Sequence, residues 1–347
     1  MQTNTTRDKI IDFIKGILIL FVILGHTTLG LIDMYSYNDT MSHITNVIYS
    51  FHMPCFIAVS GFLYREYVRN ASQDIFSRIG HKAFNILLPY VMISVIYWMI
   101  KFALSNLLRE PVSVSSLISI PWMPIEIFWY LYALFFIYCV AYMADYVFAR
   151  LLPHFNYKME LLFVLFFIIA LTCYGRFHYE GFNYIAGFQM YFYLGCLIKK
   201  WLDKLDNRYA VLSFAVMSVM VEVSGIVLRD DISSNPLCSS LFERLIACIV
   251  TVFIFAVSYF LSGYCDFPKW VQTIGRDSMP FYAMNVIFVG GIRIILDRAG
   301  ITNMALQCVC GFAGSTGICW ILYECVIKKL RFIDFIFYPG KQLDVRK

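Results

Sequence analysis

Charged residues are scarce in this sequence. Asp, Glu, Lys and Arg make up 15% of the 347 residues, whereas hydrophobic residues make up 60%. Because soluble domains carry about 25% charged residues, this composition excludes an ordinary soluble protein and predicts an all-α polytopic membrane protein. The basic residues are spread over several short loops and form no single patch, which argues against binding to nucleic acid.

Motifs of other protein classes are also missing. None of the eleven cysteines belongs to a Cys-x-x-Cys pair, so we expect small apolar residues rather than disulfides or a metal site. There is no Gly-x-Ser-x-Gly sequence, which disfavours a serine acyl-enzyme. The first apolar run is too long for a cleavable signal peptide and lacks a small-residue cleavage site. We therefore expect this run to remain as the first transmembrane helix.

Ten apolar runs approach the length of about 17–25 residues that a helix needs to cross a bilayer. When the connections are assigned alternately to two sides, 20 of the 28 Lys and Arg residues lie on the side of the termini, and four lie opposite. Basic loops face the cytosol, so both termini are predicted to be cytoplasmic. We expect one integral-membrane domain over residues 1–347, with no appended soluble domain. The predicted spans are 10–31, 45–64, 84–105, 127–148, 159–175, 183–200, 209–228, 243–262, 280–297 and 303–326.

The first span contains Lys15 and His26, eleven residues apart. Eleven helical steps bring both side chains to nearly the same face, about 16 Å apart along the axis. Ionisable groups inside a membrane are rare and mark functional sites, and Asp12 is placed to pair with Lys15. The alternative is a helix end with snorkelling charges and a histidine satisfied by a neighbouring helix.

Further polar residues are expected in the outer half of the membrane. His52, in the second span, should lie at a depth similar to that of His26, and Glu222, Arg244 and Arg293 occupy the same half. Together they predict a polar cavity open to the outside, although an interhelical hydrogen bond or ion pair is the alternative for each residue alone. By composition, a proton-coupled multi-pass transporter of a small polar solute or sugar fits equally well. A non-catalytic scaffold that binds lipid or sugar is a second alternative.

Five ordered motifs extend over residues 7 to about 330. They are Ile11-Asp12-Phe13-Ile14-Lys15-Gly16 with Leu24-Gly25-His26; Phe51-His52-Met53-Pro54 with Ser60-Gly61-Phe62; Arg78 and Lys82 before Pro89-Tyr90; Phe128-Trp129-Tyr130-Leu131; and Gly275-Arg276-Asp277-Ser278 with Tyr282. Together these motifs resemble those of the membrane acyltransferase-3 family. Within the family, the first motif looks most like the stand-alone sugar O-acetylases of the fucose 4-O-acetylase-like group. Asn285 stands where the family often has His, and Lys15 where it often has Arg.

The resemblance implies transfer of an acetyl or other short acyl group from cytosolic acetyl-CoA to a sugar or glycan hydroxyl, in the cytoplasmic membrane of a bacterium. It implies His26 as the general base, with an acyl-His26 intermediate as the alternative, and His52 or Glu222 as the group that orients the imidazole. The acceptor, the acyl chain length and the oligomeric state stay open. The implied donor-binding residues are Asp12, Lys15, Arg78 and Lys82, and the implied acceptor-binding residues are Trp129, Arg244 and Arg293.

Overall fold

The structure, a computed structural model, describes residues 4–35, 38–69, 75–103, 105, 113–152, 155–202 and 236–340. Every regular element within these ranges is a helix, as the composition predicts. The α-helices are α1 Asn4–Tyr35, α2 Asp39–Arg69, α3 Ile75–Lys82, α4 Leu88–Ala103, α5 Val114–Ile118, α6 Trp129–Leu151, α7 Lys158–Cys173, α8 Glu180–Leu202, α9 Pro236–Leu261, α10 Lys269–Arg276, α11 Ser278–Arg298, α12 Met304–Leu322 and α13 Arg331–Phe337. Short π-helices, Ala83–Leu87 and Tyr323–Ile327, and a 3₁₀ turn, Glu126–Phe128, adjoin α4, α12 and α6.

Seven helical segments in the described ranges are long and apolar enough to cross a membrane. Each overlaps one of the ten spans predicted from the sequence. Of the remaining three, 159–175 corresponds to α7, which has only 16 residues, and 183–200 lies within α8, whose interior includes the polar residues Asn183 and Gln189. Span 209–228 lies outside the described residues, so the total of ten and the side of the termini stay predictions. The seven are Lys9–Tyr35, Asp39–Tyr64, Ile75–Ala103, Glu126–Leu151, Leu237–Leu261, Ser278–Arg298 and Met304–Ile327.

The chain divides into two compact units. Unit 1 comprises Met1–Arg65 and Tyr191–Cys325, and unit 2 comprises Glu66–Met190 and Val326–Lys347. In unit 1, α1 packs against α9, α10, α11 and α12, and its apolar residues Ile14, Leu18 and Ile23 are fully buried. The helix that carries Lys15 and His26 is therefore the central helix of its unit.

Two close helix crossings in unit 1 depend on glycine. A Cβ atom added at Gly275 in α10 would meet the carbonyl oxygen of Asp12 in α1. A Cβ atom added at Gly61 in α2 would meet the backbone of Phe192 in α8, and the Cys196 thiol donates to the Gly61 carbonyl at 3.1 Å. Small residues at such crossings let helix backbones approach each other in a membrane.

The first two helices of unit 1 form an antiparallel pair. The Thr45 hydroxyl donates to the Thr28 hydroxyl at 2.7 Å, and the rings of Phe21 and Phe51 meet edge to face at 5.2 Å. Phe21, earlier in α1, contacts Phe51, whereas Thr28, later in α1, contacts the earlier residue Thr45 of α2. The two helices therefore run in opposite directions. This arrangement sets His26 of α1 opposite the segment of α2 that contains His52.

Unit 2 contains a polar cluster at the start of α6. The Glu126 carboxylate accepts hydrogen bonds from the Tyr97 hydroxyl and the Lys101 ammonium. The φ angle of Glu126 is 44°, in the left-handed region that costs a residue with a Cβ atom about 1–2 kcal/mol. The two hydrogen bonds hold this strained residue three positions before Trp129.

Candidate active site

The unbroken α1 helix carries both Lys15 and His26 of the first predicted motif. Its regular geometry places Lys15 and His26 about 16 Å apart along the axis and on nearly the same face. The Lys15 ammonium lies 3.8 Å from the Asp12 carboxylate, and both side chains are about four-fifths buried. The expected Asp12–Lys15 pair is therefore present.

His26 makes a hydrogen bond with a residue that the sequence motifs did not single out. Its Nδ1 atom lies 3.2 Å from the hydroxyl oxygen of Tyr49 in α2. Gly25 provides the space for this contact, because a Cβ atom added there would lie 3.0 Å from Cε2 of the Tyr49 ring. The glycine of the Leu24-Gly25-His26 motif thus lets Tyr49 approach the imidazole.

His52 lies on the other side of Tyr49. Its Nδ1 atom is 2.7 Å from the carbonyl oxygen of Ile48, one turn earlier in α2. A carbonyl only accepts, so Nδ1 carries the proton and the lone pair of the neutral ring is on Nε2. His52 is buried, and its ring meets that of Tyr49 edge to face at 4.9 Å. Tyr49 therefore contacts both predicted histidines.

The sequence contained a signal for Tyr49. It precedes His52 by three residues, and side chains three apart share one face of a helix. Since His52 was already expected at a depth similar to that of His26, the same spacing rule would have added Tyr49 to the site.

Arg293 lies one helical turn beyond His26. A Cβ atom added at Gly30 of α1 would meet the Arg293 guanidinium, and Gly30 follows His26 by four residues on the same face of the helix. The predicted residue Arg293 thus comes close to the helix that carries the predicted base. The other predicted arginine of unit 1, Arg244, is buried in α9 and shares a hydrogen bond with Tyr191.

Asp277 is the residue directly after α10, and its carboxylate forms hydrogen bonds at the end of that helix. It is buried and accepts hydrogen bonds from Nε of Arg276 at 3.0 Å and from the hydroxyl of Tyr323 at 2.6 Å. The hydrogen bond to Asp277 raises the pKa of the Arg276 guanidinium above its ordinary value. The motif residue Gly275 places this charged pair beside the crossing with Asp12 of α1.

Three predicted site residues belong to unit 2. The Lys82 ammonium lies 3.8 Å from the centroid of the Tyr138 ring, and Arg78 is half-buried one turn earlier in α3. Trp129 stacks on Tyr184 with 5.0 Å between ring centroids, so an aromatic side chain already covers part of its ring. Glu222 lies outside the described residues. Within the described ranges, no group of three or more His, Cys, Asp or Glu side chains is arranged to hold a metal ion.

A match to a family model decides the family of the chain. The family model Acyl_transf_3, an acyltransferase domain, matches residues 8–324. The chain belongs to this acyltransferase family. Seven helical segments in the described ranges have membrane-spanning length, which agrees with a membrane member of this family. Membership also implies an acyl donor and an acceptor, and it favours the enzyme over the transporter that composition alone allowed.

Curated relatives match parts of this family member. The nodulation protein NolL of Mesorhizobium japonicum is 31% identical over 132 residues, which is 38% of this chain and 34% of that protein. The nodulation protein NolL of Sinorhizobium fredii is 40% identical over 84 residues, which is 24% of this chain and 22% of that protein. The matched regions thus span about a third or less of these relatives. No solved structure gives a significant match.

Proposed function

We propose that this acyltransferase moves an acetyl or other short acyl group from cytosolic acyl-CoA, with acetyl-CoA as the donor, to a hydroxyl of a cell-surface or lipid-linked sugar. The observation that carries the proposal is the α1 helix, on which an ion-paired Lys15 and a hydrogen-bonded His26 share one face. A cation and an imidazole at these two depths suit the two ends of a long, phosphate-bearing thioester.

Lys15 is the proposed phosphate ligand of the donor in unit 1. Coenzyme A is a polyanion with a thin extended arm, and ammonium groups bind phosphate through charge-assisted hydrogen bonds. The arm spans about 15–20 Å when extended, which matches the separation of about 16 Å between Lys15 and His26 along α1. Asp12 orients the lysine through the ion pair of 3.8 Å. The predicted cytosolic basic run assigns Arg78 and Lys82 of unit 2 to donor binding as well.

His26 is the proposed general base. Its imidazole takes the proton of the acceptor hydroxyl as that oxygen attacks the thioester carbonyl, so a carbon–oxygen bond forms and the carbon–sulfur bond breaks. The imidazolium then returns the proton to the departing thiolate, which leaves as free coenzyme A. Imidazole suits both steps because its ordinary pKa of about 6.5 lies near operating pH. His52 supports the site from α2, and Glu222 is the proposed carboxylate partner.

The acceptor is proposed to bind at the outer end of this path. Arg293, which lies against Gly30, and the buried Arg244 offer guanidinium donors for hydroxyl or anionic groups of a glycan. Trp129 offers an aromatic surface for a sugar ring. The proposal places residues 1–347 in a single domain in the cytoplasmic membrane of a bacterium, with both termini in the cytosol.

The base assignment is tested with His26→Ala. Membranes that contain the variant are given radiolabelled acetyl-CoA, and the surface glycans are analysed by mass spectrometry. We expect the variant to accumulate in the membrane and to transfer no acyl group. His43→Ala is the matched control, since His43 is exposed in α2 and should leave transfer unchanged. Full activity of His26→Ala would exclude His26 as the base.

The donor assignment is tested with Lys15→Ala. Calorimetric titration of the purified protein with acetyl-CoA should show an affinity at least tenfold lower than that of the parent, because a charge-assisted phosphate contact is lost. Lys9→Ala is the matched control on the same helix, because Lys9 is exposed. Equal affinities of the Lys15 and Lys9 variants would contradict the phosphate-binding role.

A further inference from the structure

Tyr49 occupies a position that no sequence motif explains. Its hydroxyl lies 3.2 Å from Nδ1 of His26, its ring meets that of His52 at 4.9 Å, and 38% of its surface is exposed. The contact joins α2 to the imidazole of the proposed base on α1.

We propose that Tyr49 is the positioning residue of the acyl transfer, which holds His26 with its proton on Nδ1 and its lone pair on Nε2. The inference deepens the proposed function and rests on His26 being the base. Because Nδ1–H donates to the Tyr49 oxygen, Nε2 is the only ring atom left to take a proton from the acceptor hydroxyl. The tyrosine acts through the histidine and does not touch the reacting bond.

The separation of 3.2 Å between Nδ1 of His26 and the Tyr49 oxygen lies within the range of about 2.7–3.2 Å for an N–H donor and an oxygen acceptor. The proposed direction, from Nδ1–H to the tyrosine oxygen, leaves the Nε2 lone pair for the base. The neighbouring histidine is held in the same form, because Nδ1 of His52 donates to the Ile48 carbonyl at 2.7 Å. Both imidazoles thus have their lone pairs on Nε2.

The position of Tyr49 is itself fixed from two sides. Gly25 leaves the space into which the ring fits, with Cε2 only 3.0 Å from the site of an added Cβ atom. The edge of the His52 ring supports the ring from its own helix. The hydrogen bond between Thr45 and Thr28, at 2.7 Å, fixes the register of the two helices one turn away. These contacts restrict the Tyr49 hydroxyl to the neighbourhood of His26.

The test is Tyr49→Phe, which keeps the ring and its contacts and removes the hydroxyl alone. We expect kcat for acyl transfer to fall about tenfold or more, because the imidazolium formed in the reaction loses its hydrogen-bond acceptor. The KM for acetyl-CoA should not change, since the proposed phosphate ligand of the donor, Lys15, lies about 16 Å from His26 along α1. The matched control is Tyr35→Phe, which removes a hydrogen bond of 2.6 Å to Asp297 from a tyrosine nine residues beyond His26. This control should retain the parent's kcat.

A second measurement determines the tautomer of His26 without an activity assay. Histidine labelled with ¹⁵N is introduced into the parent and into Tyr49→Phe, and the His26 signals are assigned by their loss in His26→Gln. The parent should show a protonated Nδ1 and a bare Nε2, and the variant a mixture of the two tautomers. A proton on Nε2 in the parent, or an unchanged kcat in Tyr49→Phe while His26→Ala is inactive, would overturn the role of Tyr49 and leave the base assignment intact. An active His26→Ala would overturn the proposed function itself.

Discussion

Gly61 of the Ser60-Gly61-Phe62 motif permits a specific test of the close helix crossing in unit 1. In the sequence, this glycine fits two roles, close approach of a ligand to the backbone and close packing of helices. In the structure, a Cβ atom added at Gly61 would meet the carbonyl oxygen and carbonyl carbon of Phe192 and lie 3.0 Å from its Cα atom. All of these are backbone atoms, which cannot rotate away as the end of a side chain can. The structure therefore supports the packing role.

The cost of Gly61→Ala follows from these contacts. Overpacking of a well-packed site costs about 1–3 kcal/mol, and the backbone contact with Phe192 places this site at the upper end of that range. Replacing glycine by alanine inside a helix returns about 1 kcal/mol. The net loss in the free energy of unfolding should therefore be about 2 kcal/mol. Gly290→Ala is the matched control, because no described atom lies within 4 Å of the added Cβ, and it should gain about 1 kcal/mol.

The assay is the thermal stability of the two variants in the same detergent, followed by acyl transfer at a temperature at which both are folded. Gly61→Ala should unfold at a lower temperature than the parent, and Gly290→Ala at the same or a higher temperature. If Gly61→Ala were as stable as Gly290→Ala but had lost acyl transfer, Gly61 would serve ligand approach, and the packing argument would be refuted.

Two further predictions concern stability. Glu126→Gly should be more stable than Glu126→Ala by about 1 kcal/mol, because both lose the carboxylate but only glycine accepts the φ angle of 44° without strain; equal melting temperatures would contradict this. Asp277→Ala should lower the free energy of unfolding by about 1–3 kcal/mol, because the buried hydroxyl of Tyr323 and the guanidinium of Arg276 lose their acceptor. Thermal unfolding that matches the parent would show that this carboxylate does not hold the end of α10.

Much of the fold can be predicted from the sequence by general physical rules. A bilayer leaves backbone groups no partner outside the helix, so long apolar runs with few charges had to be helices. Within the part of the chain that the structure describes, seven helical segments have membrane-spanning length. Helical spacing also gave the Asp12–Lys15 ion pair, which depends only on neighbours along one helix. Such local features need no knowledge of how helices pack.

Contacts between helices could be predicted less well from the sequence. The His26–Tyr49 hydrogen bond joins residues 23 positions apart and depends on the rotation of α1 against α2, which hydropathy does not fix. The stacking of Trp129 on Tyr184 and of Lys82 on Tyr138 likewise requires the mutual placement of separate helices. At such contacts between helices, the type of a residue does not by itself decide between a functional role and a packing role.

The antiparallel pairing of α1 and α2 has a consequence for how the chain folds. His26, Tyr49 and His52 belong to two helices that follow each other in the sequence, so bringing them together costs little chain entropy and needs no distant part of the polypeptide. The proposed base and its positioning residue can therefore meet as soon as these two helices pair.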